Sequence, residues 1–286
     1  SLRFGLIAQI SDLVVNPRSS APEAVAWVSH NGNPYTRVIS GIAIDPDCEA
    51  PPPLASIVCG TKFNTFELVA GWFFDSRNRA IFADRGMRHS VSLSVAAPGS
   101  DVNYYVASYD FLQLIPLWKQ WTVALSGAFA YGQALGNDTT SLPPYRQFFA
   151  GGPESVRGFT ESRLGPKDGF GNPYGGNMKV VSHAELLLPV PKKMRASTRM
   201  SVFFDLGNVF SEGGGVKFVG RDRVTPVDYK FDYNELKQST GVAVQWLAPL
   251  GVFRFSYAIP LNEYRGDRIR YPDEVESFQF TIGSAF

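Results

Sequence analysis

Large apolar residues recur at every second position along much of this chain, and that period limits what it can fold into more than any other feature. In Ser90-Val91-Ser92-Leu93-Ser94-Val95, one set of alternate positions is Val and Leu and the other is Ser. In Trp121-Thr122-Val123-Ala124-Leu125-Ser126-Gly127-Ala128-Phe129-Ala130-Tyr131, large side chains hold every second place apart from Gly127, with small residues between. Positions i, i+2 and i+4 share one face of a strand, so the pattern predicts β-strands with one apolar face. A soluble sandwich would show the same alternation.

Three further features move the expectation into a membrane. The alternating stretches run to about 10–15 residues, against roughly 5–6 for a usual soluble strand. Aromatics gather near their ends, at Trp72, Phe74, Tyr104, Tyr105, Trp118, Trp121, Tyr131 and Trp246. Rings with an apolar body and a polar tip suit a bilayer interface. Connections alternate between short and long, as in barrels with short periplasmic turns and long outer loops. Strands are predicted near 2–14, 63–75, 87–97, 103–116, 120–133, 178–190, 198–210, 237–248, 251–260 and 276–286, with no helix-period segment of convincing length. Two connections break the rhythm: Pro98 to Asp101 is tight on the long-loop side, and Ser76 to Gly86 is long on the tight-turn side.

The chain is 44% hydrophobic, but no run approaches the roughly 20 apolar residues of a spanning helix; Val202-Phe203-Phe204 is broken at once by Asp205. The formal charge is +1, which argues against a nucleic-acid partner. Ser1-Leu2-Arg3-Phe4-Gly5 reads as mid-strand with no leader pattern, so a fragment or a mature product is expected. Cys48 and Cys59 lie close together in a Pro-rich stretch; they read as a loop disulfide in an oxidising compartment or as two free thiols.

The long connection 134–177 is Gly- and Pro-rich, yet carries Phe148-Phe149-Ala150-Gly151-Gly152 and Val156-Arg157-Gly158-Phe159. It reads either as an apolar loop tip or as a loop folded back into a barrel lumen. An arginine carried inside would need anionic partners, because a buried charge is costly unless paired. Glu185 lies opposite Ala184, Leu186 and Leu188, and Asp205 lies opposite Val202, Phe204 and Leu206. Both acids point to the lumen if those apolar sets point to lipid. The sharper reading clamps Arg157 between Glu185 and Asp205; the blander one leaves three separate charges in lumen water.

At these residues the sequence resembles the BamA family of outer-membrane barrel-assembly insertases. Gly151-Gly152-Pro153-Glu154-Ser155-Val156-Arg157-Gly158-Phe159, followed by Leu164-Gly165-Pro166-Lys167, is similar to that family's sixth-loop signature. The likeness continues in Phe204-Asp205-Leu206-Gly207-Asn208-Val209-Phe210, in Gly241 to Gly251, in Phe255-Ser256-Tyr257-Ala258 and in Phe278-Gln279-Phe280-Thr281-Ile282-Gly283. The resemblance implies an all-β fold: a transmembrane antiparallel β-barrel of sixteen strands, of which residues 1–286 would be about ten C-terminal strands with 134–177 as a plugging loop. It implies that Val156, Arg157, Gly158 and Phe159 form the loop tetrad and that Glu185 and Asp205 receive the arginine. The last strand, with Phe278, Phe280, Ile282, Gly283 and Phe286, becomes one lip of a lateral gate. The family's POTRA domains and first strands are absent from this sequence, and so is the other lip. The cysteine pair lies in an earlier loop than the family's, so the disulfide is not carried over.

The function implied is non-enzymatic insertion of barrel proteins into the bacterial outer membrane. Its partners would be outer-membrane lipids, unfolded outer-membrane proteins as substrates, and assembly-machinery lipoproteins acting through the missing N-terminal region. No cofactor, metal or catalytic residue is expected. The alternative is a two-partner secretion or related translocation pore of the same superfamily; a barrel enzyme or a porin is a weaker one. Only His30, His89 and His183 could serve as an imidazole base, and His183 reads as a lumen polar group beside Glu185.

Overall fold

The structure is a computed structural model and describes residues 1–15, 20–31, 38–39, 42–43, 59–118, 120–136, 138–213 and 215–283. Cys48 and Phe286 lie outside the described residues, and with Cys48 goes the question of a Cys48–Cys59 bridge.

Ten strands follow one another in chain order: β1 (Leu2–Val15), β2 (Cys59–Asp75), β3 (Gly86–Ala96), β4 (Tyr104–Pro116), β5 (Thr122–Ala134), β6 (Met178–Leu187), β7 (Thr198–Phe210), β8 (Lys237–Ala248), β9 (Gly251–Pro260) and β10 (Phe278–Gly283). Each pairs antiparallel with the next in a single sheet, and among the described residues no ladder joins β1 to β10. Most exceed the 9–11 residues that a tilted transmembrane strand needs.

The registers sort the side chains into two faces. Leu68, Val95 and Tyr105 are brought level by the ladders of β2, β3 and β4, as are Leu125, Ala184 and Phe204 in β5, β6 and β7. Leu6, Leu68, Trp72, Leu93, Val202, Val242, Tyr257, Phe280 and Ile282 all lie on this face, and all are exposed. An apolar face of that extent is an outer wall built for lipid. Gly127, the break in the alternation of β5, falls on it opposite Phe111. A Cβ there would come within 2.6 Å of the Phe111 ring and 3.1 Å of Phe129. These rings stack 6.2 Å apart across the glycine, so the gap in the sequence pattern is filled by its neighbours.

The opposite face carries Glu67, Ser92, Asp110, His183, Glu185, Asp205, Ser239 and Gln279, and the loops pack against it. β6 ends at Leu187 rather than near Val190, because Pro189 has no N–H for the ladder. The tight Pro98–Asp101 connection is pinned to β2, where Asp101 Oδ2 accepts from the Asn64 amide at 2.7 Å and Ser100 Oγ from the Phe66 amide at 2.9 Å. The long Ser76–Arg85 connection tucks inward: Ala83 is buried with Leu114, Ala124 and Leu187.

One expectation is corrected. A ten-residue helix, α1 (Pro22–Asn31), stands in the first long connection. Proline suits a first helical position, where its missing N–H is no loss. The buried residues of α1 are Glu23, Trp27, Val28 and Asn31, two of them polar, so no apolar stripe marks it in the sequence.

Candidate functional site

The loop between β5 and β6 reaches the inner face of the sheet, where an exposed pair of Glu154 with Arg254 of β9 and three more enclosed anchors hold it. The first is the Arg157 centre. β6 and β7 are paired so that Asp205 lies level with His183 and Phe203 with Glu185. Alternation turns all four inward. Arg157 is 6% exposed and Asp205 is fully buried. The guanidinium meets Asp205 in a fork: Nε donates to Oδ2 and Nη2 to Oδ1, each at 2.7 Å. Nη2 also lies 2.7 Å from Glu185 Oε1. The Arg157 amide donates to Asp205 Oδ2 at 3.1 Å, and His183 Nδ1 stands 2.9 Å from Oδ1. Asp205 therefore accepts from four donors, about as many as a carboxylate can hold. The guanidinium carbon sits 3.5 Å from the centroid of the Phe203 ring, a cation–π stack that sequence reading did not single out. A fork on a carboxylate with a ring beneath it suits arginine and not lysine.

The rest of the tetrad is packed beside this centre. Val156 and Phe159 are fully buried with Ala150, Leu164, Val181 and Val209. Gly158 has φ +89°, and a Cβ there would stand 3.0 Å from the Ala258 Cβ, so both conformation and space require glycine.

The second anchor joins the tetrad to the last strand. Gln279 Nε2 donates to the Phe159 carbonyl at 2.8 Å, and the Gly158 amide donates to Gln279 Oε1 at 3.3 Å. Gly158–Phe159 also pairs as a short antiparallel ladder with Val275–Glu276, just before β10. Phe278, Phe280 and Ile282 face outward, and Gly283 pairs with Val252. Alternation with outward Phe278 and Phe280 turns Gln279 inward, but nothing in the sequence marks its partner, which lies 120 residues away.

The third anchor was missed. Arg146 Nη2 lies 2.6 Å from Glu67 Oε2, and Glu67 is fully buried. Tyr104 Oη donates to Glu67 Oε1 at 2.6 Å, and Ser94 Oγ donates to Oε2. A signal existed: Glu67 stands between Phe66 and Leu68, the same inward acid between outward apolar residues that marked Glu185. Helix α1 backs this corner. The Trp27 ring meets Phe63 edge-on at 5.3 Å, and its Nε1 donates to the Ser141 carbonyl at 3.2 Å. Glu23 accepts from the Gly169 and Val219 amides, and burial pushes its carboxyl above the ordinary value.

An apolar-walled antiparallel sheet with a charge-clamped loop packed on its polar inner face defines a class: an outer-membrane β-barrel. A family model described as the Omp85 superfamily domain matches residues 24–286, and the chain belongs to that superfamily. It is 36% identical over 233 residues to the outer membrane protein assembly factor BamA of Neisseria meningitidis serogroup B, covering 76% of this chain and 28% of that protein. It is 28% identical over 151 residues to the sorting assembly machinery 50 kDa subunit of Saccharomyces cerevisiae, covering 51% of this chain and 28% of the yeast protein. The crystal structure of BamA from Haemophilus ducreyi lacking POTRA domains 1–3 superposes with a TM-score of 0.76 at 28% identity, over 99% of this chain and 51% of that one. The likeness is to the C-terminal barrel of BamA, and the chain's place is the bacterial outer membrane. It spans about a quarter of the length of the Neisseria and yeast relatives.

Proposed function

We propose that this chain is the barrel part of a factor that assembles and inserts β-barrel proteins in the outer membrane, without covalent chemistry of its own. The observation that carries this reading is the tie between the tetrad and the last strand. Arg157 is locked on β6 and β7, and the next two residues hold β10 through Gln279. Among the described residues β10 pairs only with β9. No described strand pairs with its other edge, and an edge of free N–H and C=O groups is a template onto which a further strand adds. In this reading β10 is one lip of a lateral gate, Gly283 weakens it because glycine weakens a strand interior, and unfolded outer-membrane proteins are the substrates. Partner lipoproteins would act through the POTRA domains of a longer protein. His183 serves as a hydrogen-bond partner of Asp205 rather than as a base.

The test is reconstitution of the full-length parent in liposomes. Faster folding of an added barrel protein than in empty liposomes is expected. No acceleration would count decisively against the reading.

A further inference from the structure

The charges of this nearly neutral chain are sorted along the strand axis. The four connections at the tight-turn end (76–85, 117–121, 188–197 and 249–250) hold seven Lys or Arg and a single acid, Asp84. The five connections at the other end (16–58, 97–103, 135–177, 211–236 and 261–277) hold thirteen Lys or Arg against nineteen Asp or Glu. Of the seven, Arg77 is spent on Asp75 at 2.7 Å. Arg79, Arg85 and Arg195 line a cavity of about 370 Å³ together with Arg199 and Asp84. Thr122, Leu187 and Arg199 put this cavity on the inner face of the sheet, away from lipid, and Gln120 and Pro189 put its mouth at the tight-turn end. It is therefore filled with water and entered from water.

The cation at the cavity floor lacks a counter-charge. Arg199 is partly buried, and no carboxylate of the described residues lies within ion-pair distance of it. Glu185 and Asp84 act on it only from farther off, and Glu185 is already spent on Arg157. What holds Arg199 is neutral: Nη2 donates to the Ala83 carbonyl, and the guanidinium carbon lies 5.2 Å from the centroid of the Phe82 ring. Phe82 has φ +50°, a left-handed backbone that a bulky residue rarely takes, and this turn brings the ring to the arginine. Nearer the mouth, Arg195 spends Nε on the Val190 carbonyl at 3.3 Å. Arg79 is 3.8 Å from Asp84, an exposed and weak pair. Among the described residues neither Arg85 nor Arg195 has an ion-pair partner. At Arg157 and Arg146 the wall supplies a buried acid to each arginine the loop brings in. Here four guanidiniums share Asp84 alone.

We infer that this cavity is a docking site for an acidic segment of another polypeptide entering from the tight-turn side, with Arg79, Arg85 and Arg195 as the open donors and Arg199 as the fixed floor. Guanidinium forks match carboxylates. A carboxylate seated on Arg199 supplies the partner that a partly buried cation needs and the wall withholds. The cations run from a partly buried floor to an exposed rim, so they call for several anionic groups in a row. A run of Asp or Glu provides that, and a single small anion does not. The inference rests on the tight-turn end opening to water and not on any insertase activity.

The test measures binding of a fluorescein-labelled oligoglutamate peptide to the full-length parent in zwitterionic micelles, by fluorescence anisotropy. Wild type is compared with Arg79→Gln/Arg85→Gln/Arg195→Gln, which spares Arg199, and with Lys192→Gln/Lys193→Gln, which removes two charges from the same end outside the cavity lining. Heat-resistant migration on electrophoresis reports independently that the barrel is formed in each. The arginine variant is expected to bind the peptide about tenfold or more weakly, and the lysine variant to bind it like wild type. Equal affinity in wild type and the arginine variant would overturn the inference. So would an equal loss in the lysine variant, since that marks general attraction to a basic rim. Line-broadening of inorganic phosphate by wild type, lost in the arginine variant and accompanied by no peptide binding, would overturn it in favour of a small-anion site.

Discussion

Two arginines of one loop, Arg157 and Arg146, are each paired with a fully buried acid on the inner wall, yet only Arg157 is itself buried. At Arg157 the loop brings an enclosed cation, and two wall acids close on its Nε and Nη2. At Arg146 the wall holds the enclosed charge, Glu67, and the loop brings an arginine whose side chain is 29% exposed. Removing Arg157 strands a fully buried Asp205 beside Glu185, with only His183 left as a side-chain partner. Removing Arg146 leaves Glu67 with two hydroxyl donors, Tyr104 and Ser94. The difference teaches where the loop is fastened to the wall and where it is only steadied.

The largest expected effect follows from that asymmetry. Arg157→Ala is expected to cost about 3–5 kcal/mol, the usual result of breaking a buried ion pair from one side. The measurement is the temperature at which the barrel loses its compact migration on electrophoresis. Arg146→Ala is expected to cost about 1.5–3 kcal/mol, a charge-assisted hydrogen bond from a partly exposed arginine to a carboxylate that keeps two hydroxyl donors. Equal losses in the two variants would break the comparison. Gln279→Ala removes two hydrogen bonds to the tetrad and is expected to cost about 1–2 kcal/mol, with hydrogen exchange rising at Phe278–Gly283 and not at Tyr104–Pro116.

The smallest effect concerns the helix behind Arg146. Burial raises the carboxyl of Glu23, so the folded state binds that proton more tightly than the unfolded state. Its protonated form is the one that docks well: helix docking is strongest below the ordinary carboxylate range and weakens as pH climbs to the raised value. Glu23→Gln is expected to flatten that dependence in the exchange protection of residues 22–31. A variant that keeps the wild-type pH profile would remove Glu23 from the account.

The period of two made the wall legible, down to which residues face lipid. It also made the Arg157 centre legible, because an acid between outward apolar residues must point in. The same rule applied to Phe66-Glu67-Leu68 would have found Glu67, but nothing near Arg146 in the sequence drew attention to its partner. What stayed hidden depends on loop paths. Gln279 meets Phe159 only because the tetrad turns at Gly158, and α1 escapes notice because its buried side mixes Glu23 and Asn31 with Trp27 and Val28. The connection at 76–85 looked too long for its side of the sheet; it is long because it folds inward to bury Ala83 and to hold Arg199.

The central claim is that the Arg157 centre holds the last strand as well as the loop. Hydrogen exchange of β10 in the full-length parent, compared between wild type and Arg157→Ala under conditions where both remain folded, tests it directly. Faster exchange at Phe278–Gly283, with β4 unchanged, is the result expected. Unchanged protection of β10 would contradict the claim and leave Arg157 as an anchor of the loop alone.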